Sequence, residues 1–459
     1  MGSRPSPPAI GGSDLKITHL SSATELIETN GIKILTDPWL VDGAFYGTWC
    51  HYPPVDPARI ALDDVDYVYV SHIHPDHFDP ATLVMLPKGI PVLIHRYERP
   101  FLKTSIERLG FTAIEIPHGE PLDLGAGVRI EIYGADNCDP EICGRMFGCI
   151  PESPRGSMQL DSLCVIRDGT YTLVNTNDCP YEISKVTLKE IKRRHPRIDF
   201  ALVGYSSASL YPHCMAEYDD QQMERGRAVA RRRGLVTGLQ TLRSLKPRFF
   251  MPFAGTYVLG GAVRGKTEQM PITELQDAAS CFEADTEIAA AGCKAVLLNA
   301  GEHFDLATEQ PSAPYIPIDP AARLEYALTA LAAHPLPYEA DEWPTLEQFL
   351  AISDACYDRF ESKRREIGLD ERHFIYLGLP GEKLLRVPAN GERWSLEEHV
   401  RDNETFTRLD MDHRLLMRAM RGPRFANWNN IEIGAHAELR RLPDAFNPQI
   451  HIILNSFHE

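Results

Sequence analysis

The sequence is short of the features that would take it out of water or tie it together covalently. No stretch approaches the roughly 18 consecutive apolar residues of a membrane span. Met1 to Ser13 lacks the apolar core of a secretory leader. A membrane-spanning or exported protein is therefore not expected, and a cytoplasmic location is. Ten cysteines are few and irregular in 459 residues, and no two stand as Cys-x-x-Cys, which excludes a disulfide scaffold. Cys138, Cys143 and Cys149 gather in one loop but have no fourth ligand at zinc-site spacing, so packing is their plainer role. Positive charge is also scarce. With 47 Lys and Arg against 64 Asp and Glu the net charge is -17, and such a surface repels a polyanion, so no nucleic-acid partner is expected. The basic runs Lys192–Arg194 and Arg225–Arg233 read as solvated helix faces or as a patch for an anionic group on a small substrate. No repeat of solenoid period is present.

What is there is a chain rich enough in apolar residues, 43%, to bury a large core. Residues 1–14 form a Pro-, Gly- and Ser-rich tail. Short runs at Leu15–Leu20, Thr24–Thr29 and Ile32–Thr36 predict a strand meander, with Asn30-Gly31 as a hairpin turn. Val65–Val70 is β-branched and aromatic and predicts a strand ending at a histidine cluster. Further strands are expected through Phe200–Gly204, Phe249–Phe253 and Ala295–Asn299, and a helix over Met215–Leu245. Four prolines between Pro311 and Pro320 mark a boundary. It divides a catalytic domain over 15–319 from a C-terminal α+β domain over 320–459. In the latter, Arg323–Ala333, Leu346–Ile367 and Glu397–Met420 are expected as helices and Gln449–Leu454 as a closing strand. Its aromatic content around Phe425 and Trp428 predicts that it walls a substrate pocket.

The chemistry concentrates in Ser71-His72-Ile73-His74-Pro75-Asp76-His77. One histidine on a strand is more often packed than ligating, but four potential ligands within six positions call for a different explanation. His72 and His74 share a face of an extended segment, because side chains two apart point the same way. A turn through Pro75 then carries Asp76 and His77 to a second position.

His-x-His-x-Asp-His directly after a buried strand resembles the metallo-β-lactamase family. That resemblance implies an α/β fold, an αββα sandwich, here with a C-terminal α+β appendage. It implies that His72 and His74 hold one metal ion and that Asp76 and His77 hold a second. It also implies a bridging aspartate, for which Asp178 after Leu173–Asn177 is the match, and a late histidine, for which His303 is the match. A further histidine usual in the family has no counterpart in Ser153–Leu163, and Glu152 or Asp161 is the expected carboxylate replacement. His95 and His118 are further candidates with packing roles as the simpler reading.

Carboxylate in place of imidazole favours iron, since hard anionic oxygen donors stabilise its higher valence. All-histidine positions favour zinc and hydrolysis. Beyond the histidine motif, Thr36–Leu40, Asn175–Cys179, Gly204–Pro212, Pro252–Gly255 and Trp428–Gly434 resemble the catalytic portion of the cytidine monophosphate N-acetylneuraminate hydroxylases. The plan is also similar to bacterial di-iron hydroxylases of natural-product pathways, including the platensimycin-pathway group that acts on diterpenoid coenzyme A thioesters. These resemblances imply a non-haem monooxygenase with two iron ions, using O2 on a small-molecule substrate, with a coenzyme A thioester as one form it would take. Rieske ligand pairs are absent from the sequence, so electrons are expected from a separate reductase or ferredoxin. The alternative is a hydrolase with two zinc ions acting on an ester, lactone, thioester or phosphodiester. A third reading is a fold member that binds without catalysing.

Overall fold

A computed structural model describes residues 14–97, 99–135, 161–206 and 208–459. Glu152 and the three loop cysteines lie outside the described residues. The chain opens with the expected meander, β1 (Lys16–Ser21), β2 (Thr24–Thr29) and β3 (Ile32–Thr36). Asn30 and Gly31 both take positive φ, 48° and 78°, the pair of left-handed residues a tight hairpin requires. Alternation then sorts the side chains. Ile17, Ile27, Ile34, Tyr69 and Leu93 point to one face of the sheet. Leu20, Leu35, Val68, Val70 and Val92 point to the other.

The first sheet has eight strands, with β3 passing in parallel to β5 (Tyr67–Tyr69), β6 (Val92–His95) and β7 (Ala113–Ile116). At its other edge β1 pairs antiparallel with β16 (His303–Asp305). The second sheet has seven strands. Its centre is β10 (Ser162–Arg167), β11 (Thr172–Asn175), β12 (Phe200–Gly204) and β13 (Phe249–Phe253). The inner faces meet through Ile17, Ile34 and Tyr69 against Ile130, Cys164, Leu173, Phe200 and Phe249. Helices cover both outer faces. Leu83, Leu102 and Ile106 pack on the first sheet, and Leu188, Ile191, Leu242 and Phe282 on the second. This is the αββα layering of the metallo-β-lactamase fold.

The C-terminal region builds a five-stranded sheet around β18 (His373–Leu379), backed by the helix Leu346–Glu366. Two expectations for it were wrong in kind. Glu397–Met420 is not one helix: it holds strands at Ser395–Glu397 and Thr405–Asp410 and a helix only at His413–Met420. Alternating Thr405, Phe406, Thr407 and Arg408 after a left-handed Asn403 carries a period of two, not 3.6. Gln449–Leu454 lies in the helix Pro448–Leu454, because Asn447 caps the Gln449 N–H and Pro448 presets the first turn. Packing also crosses the proline-rich stretch. One core joins Trp39, Phe45, Trp49, Leu210 and Met215 to Phe349, Leu416, Trp428 and Phe457. Among the described residues no helix is long and apolar enough to cross a membrane.

Candidate metal centre

The site forms where β3, β5, β10 and β11 end or begin at one edge of the sandwich. Asp37 follows β3 in a left-handed conformation, φ 43°, that aims its carboxylate across to the next strand. It is fully buried and accepts from the Ser71 N–H at 2.7 Å and the Ser71 hydroxyl at 2.8 Å. It also sits 2.9 Å from His77 Nδ1. The backbone after β5 is pinned from the opposite side. Tyr97 and Ser162 hydroxyls donate to the Ser71 carbonyl at 3.0 and 2.8 Å. Ser162 thereby ties the start of β10, and Asp161 before it, to the histidine segment.

These contacts bring ligand atoms together in two groups that share His72. One is His72, His74 and Asp161; the other is His72, His77 and Asp178. His72 Nε2 lies 2.8 Å from His74 Nδ1 and 3.3 Å from Asp161 Oδ1. His77 Nε2 lies 3.1 Å from Asp178 Oδ2 and 3.4 Å from Asp76 Oδ2. Asp178 is delivered by a turn at Asn177, φ 47°, whose amide donates to the Ser162 carbonyl at 2.7 Å. The turn is pressed close to β12. A Cβ at Gly204 would stand 2.8 Å from the Asn177 carbonyl oxygen, so glycine is required there.

Each imidazole is held by its remaining nitrogen. His72 Nδ1 meets the Ser71 hydroxyl at 2.9 Å, His77 Nδ1 meets Asp37, and His74 Nε2 meets Asn429 Oδ1 at 3.1 Å. A ring whose outer nitrogen is engaged in this way turns the other nitrogen's lone pair inward, the arrangement that orients histidines on metal ions. The donor set fits a cation in a second respect. Burial and repulsion from Asp178 raise the Asp161 carboxyl to about 7. His72 is driven well below the ordinary imidazole value by burial and by His77 and His74. His77 goes the other way: burial opposes its charge, but Asp178, Asp76 and Asp37 outweigh that and raise it well above the ordinary value. Crowded carboxylates and inward lone pairs are what a bound cation relieves.

The structure thus brings His72, His74, Asp76, His77, Asp161 and Asp178 together, and it does not bring His303. His303 pairs with Thr18, Thr18 with Leu26, Leu26 with Leu35, and Leu35 with Val68. That register puts its ring on the outer face of the first sheet, away from the inward-facing Ile17 and Phe304. His95 and His118 lie 5.9 Å apart near Tyr133, in neither group. Sequence reasoning passed over Asp37 and Asn429 as site residues. Asn429 comes from the C-terminal region, where the segment after Trp428 docks on the first sheet's loops. Thr48 and Trp49 donate to the Gly434 and Ile433 carbonyls at 2.8 and 3.2 Å, and Lys266 donates to those of Ala435 and Ala437. The signal for both lay in the quoted stretches Thr36–Leu40 and Trp428–Gly434, each with a polar side chain inside an apolar setting.

Residues 16–136 match the beta-lactamase superfamily domain. Among curated proteins, the chain is 32% identical over 202 residues to a Rieske-named 2Fe-2S iron-sulfur protein of Mycolicibacterium smegmatis, covering 43% of this chain and 35% of that one. It is 26% identical over 263 residues to the cytidine monophosphate-N-acetylneuraminic acid hydroxylase of Mus musculus, covering 55% of this chain and 41% of that one. The chain thus spans well under half the length of these curated relatives. Among solved structures it resembles CmlA, a diiron β-hydroxylase from Streptomyces venezuelae, with TM-score 0.42 and 16% identity over 65% of this chain and 54% of that one. It also resembles a metallo hydrolase from Ignicoccus hospitalis, with TM-score 0.38 and 14% identity over 64% of this chain and 98% of that one. Fold and site together describe a metalloenzyme of the metallo-β-lactamase fold.

Proposed function

We propose that this chain is a non-haem di-iron monooxygenase that hydroxylates a carbon–hydrogen bond of a small-molecule substrate. The overall reaction takes RH, O2, two electrons and two protons to ROH and water. The observation that carries the reading is Asp161, a carboxylate 3.3 Å from His72 Nε2 where an all-imidazole set would suit zinc. His72, His74 and Asp161 would hold one iron, and Asp76, His77 and Asp178 the second, with His72 common to the two groups. Two reduced irons supply the electrons that activate O2 when they are bound.

The chain's own residues do the rest. Ser71, Asp37 and Asn429 keep the three imidazoles turned inward. His72 and His77 are buried and the C-terminal segment lies against His74, while Asp178 keeps 33% of its side-chain surface and leaves the cluster open on that side. Two electrons per turnover come from a separate donor, and an iron-sulfur protein suits both the likeness to hydroxylases and the Rieske-named relative. A coenzyme A thioester is one form that substrate would take. The C-terminal region, proposed as its own unit from 320, would wall the substrate site.

The test is elemental analysis of protein purified without added metal, followed by O2 uptake with a chemical reductant. About two irons per chain and reductant-dependent uptake are expected. Two zincs with no uptake would sink the proposal in favour of a dizinc hydrolase. That second reading is favoured by the His-x-His-x-Asp-His segment itself, whose imidazoles would hold zinc and would suit hydrolysis equally well.

A further inference from the structure

Phe45 and Tyr46 stand side by side in the left-handed region, φ 51° and 59°, between Gly43 and Gly47 at φ 110° and 98°. Glycine takes such angles freely. Two consecutive aromatic residues do not, and a turn of this kind persists only where its surroundings over-determine it. What holds it here comes from residues up to 391 positions away. His436 Nε2 lies 2.8 Å from the Phe45 carbonyl oxygen, and the Asn427 N–H donates to the Tyr46 hydroxyl at 2.6 Å. The Thr48 hydroxyl donates to the Phe45 carbonyl at 3.1 Å and to the Gly434 carbonyl at 2.8 Å, tying the turn to the C-terminal segment. The fit is close, since a Cβ on Gly434 would stand 2.9 Å from the Phe45 carbonyl oxygen.

A carbonyl only accepts, so His436 carries a proton on Nε2, and its Nδ1 is left to accept from the Tyr338 hydroxyl at 3.2 Å. Both ring nitrogens of this buried residue are thereby used. The turn it holds has a consequence at the metal centre. It carries the Phe45 ring into a buried place 4.5 Å from the Trp49 ring and 6.2 Å from the ring of His74, both within the range of aromatic contact. His74 is already held at its two nitrogens, Nδ1 at 2.8 Å from His72 Nε2 and Nε2 at 3.1 Å from Asn429 Oδ1. An imidazole held only there can still tip about the line joining its nitrogens. A ring packed beside it removes that freedom.

We propose that His436 is a positioning residue for the metal centre: by holding Phe45 in its left-handed turn, it fixes the ring of His74 for a cation at the position formed by His72, His74 and Asp161. It acts through Phe45 and touches neither cation nor substrate. The inference rests on reading the His/Asp cluster as a metal site, and it is the same whether that metal is iron or zinc.

The test compares two variants of the full chain. His436→Leu removes the donor but leaves the Phe45 carbonyl its Thr48 partner, and His436→Gln returns an amide donor to the reach of Nε2. In metal-free protein, NMR of the His74 ring nitrogens should show one sharp tautomer in the parent and in His436→Gln, and broadened, averaged signals in His436→Leu. Calorimetric titration with zinc alone should then show the first ion bound at least tenfold more weakly in His436→Leu, the second within a few-fold, and most of the loss recovered in His436→Gln. Should His436→Leu fail to fold by circular dichroism, Tyr338→Phe, which only frees Nδ1, decides the matter with the same His74 broadening and a first ion weakened about threefold. Unchanged His74 signals, equal weakening of both ions, or no recovery with His436→Gln would overturn the proposal. A parent that binds no zinc, with His74 signals that still respond to His436→Leu as stated, would sink the metal reading and leave the positioning of His74 supported.

Discussion

The two ligand groups of the cluster share His72 yet are electrostatically opposite. Around His74 and Asp161 the outer contacts are neutral, a serine hydroxyl on His72 and the Asn429 amide on His74. Burial first lowers both histidines, helped by neighbouring rings and opposed at His74 by Asp76 and Asn429, which favours their neutral form. Around His77 the outer contact is the buried Asp37 carboxylate, and three aspartates hold its proton on. The first position is therefore preset as neutral nitrogens facing a carboxyl of about 7. The second must lose a proton before His77 can ligate. One fold edge thus holds two candidate cation positions of unequal readiness, set by which side chain touches the far nitrogen of each ring.

Removing the shared member breaks the comparison outright. His72→Ala should reduce bound metal from two ions per chain towards none, measured by elemental analysis after dialysis, while far-ultraviolet circular dichroism stays unchanged. Loss of only one ion would mean the groups are independent. The next largest effect separates them. Asp37→Asn keeps the size but removes the charge behind His77, and the second ion should bind roughly 10- to 100-fold more weakly, the usual cost of losing such an outer contact. First-position affinity should stay within a few-fold. An equal loss at both positions would show that Asp37 acts by holding the Ser71 backbone instead.

Acidity sharpens the difference further. Second-ion binding should expel the His77 proton, so isothermal calorimetry in buffers of different ionisation enthalpy should register close to one proton released at neutral pH. The first ion should expel less than one, falling away above about pH 7 as Asp161 ionises on its own. In the metal-free protein the signs of Asp161 and His77 add. Asp161, raised in the fold, is destabilising once ionised, and that penalty grows as pH climbs from the unfolded carboxyl range through about 7. Stabilisation from cationic His77, raised in the fold, is complete below the ordinary imidazole value and is lost at higher pH. The neutral His72 and His74 act in the opposite sense, lowered in the fold and so destabilising below the ordinary imidazole value, so the test is a difference: metal-free Asp161→Asn should gain melting temperature over the parent at pH 8 and little at pH 5.

The legible part of this molecule was the part written contiguously. His72 to His77 lie within six positions after a β-branched strand, so spacing alone brought them to one place, and the opening meander was readable from alternation and Asn30-Gly31. Asp178 was a candidate because it follows an apolar strand, and Asp161 because it stands, as Glu152 does, where a family histidine is missing; Asp161 lies beside His72, and Glu152 is outside the described residues. His303 misled because it too borders a strand, but pairing decides which face a residue takes, and β16 pairs with β1 in a register that turns it outward. Asn429 was hidden for a related reason. It stands 355 positions from His74, and its meeting with that ring depends on the aromatic core around Trp39, Trp49 and Trp428, a contact that no local pattern encodes.

That distant contact yields the smallest effect and the finest test of the asymmetry. Asn429 lies at the start of a short helix capped by Asn427, whose side chain accepts from the Asn429 and Asn430 N–H groups. The cap rests on Asn427, so truncating Asn429 leaves it intact. Asn429→Ala should lower stability little and weaken the first ion about tenfold, because His74 loses the acceptor that fixes its tautomer and turn of ring. Asn429→Asp should do the reverse of what Asp37→Asn does. A carboxylate there would place charge behind His74, raise its pKa, and make first-ion binding release a proton as the second already does. If first-ion binding keeps its affinity and its proton count in both variants, the amide at His74 is a bystander and the two positions differ for some reason other than their outer contacts.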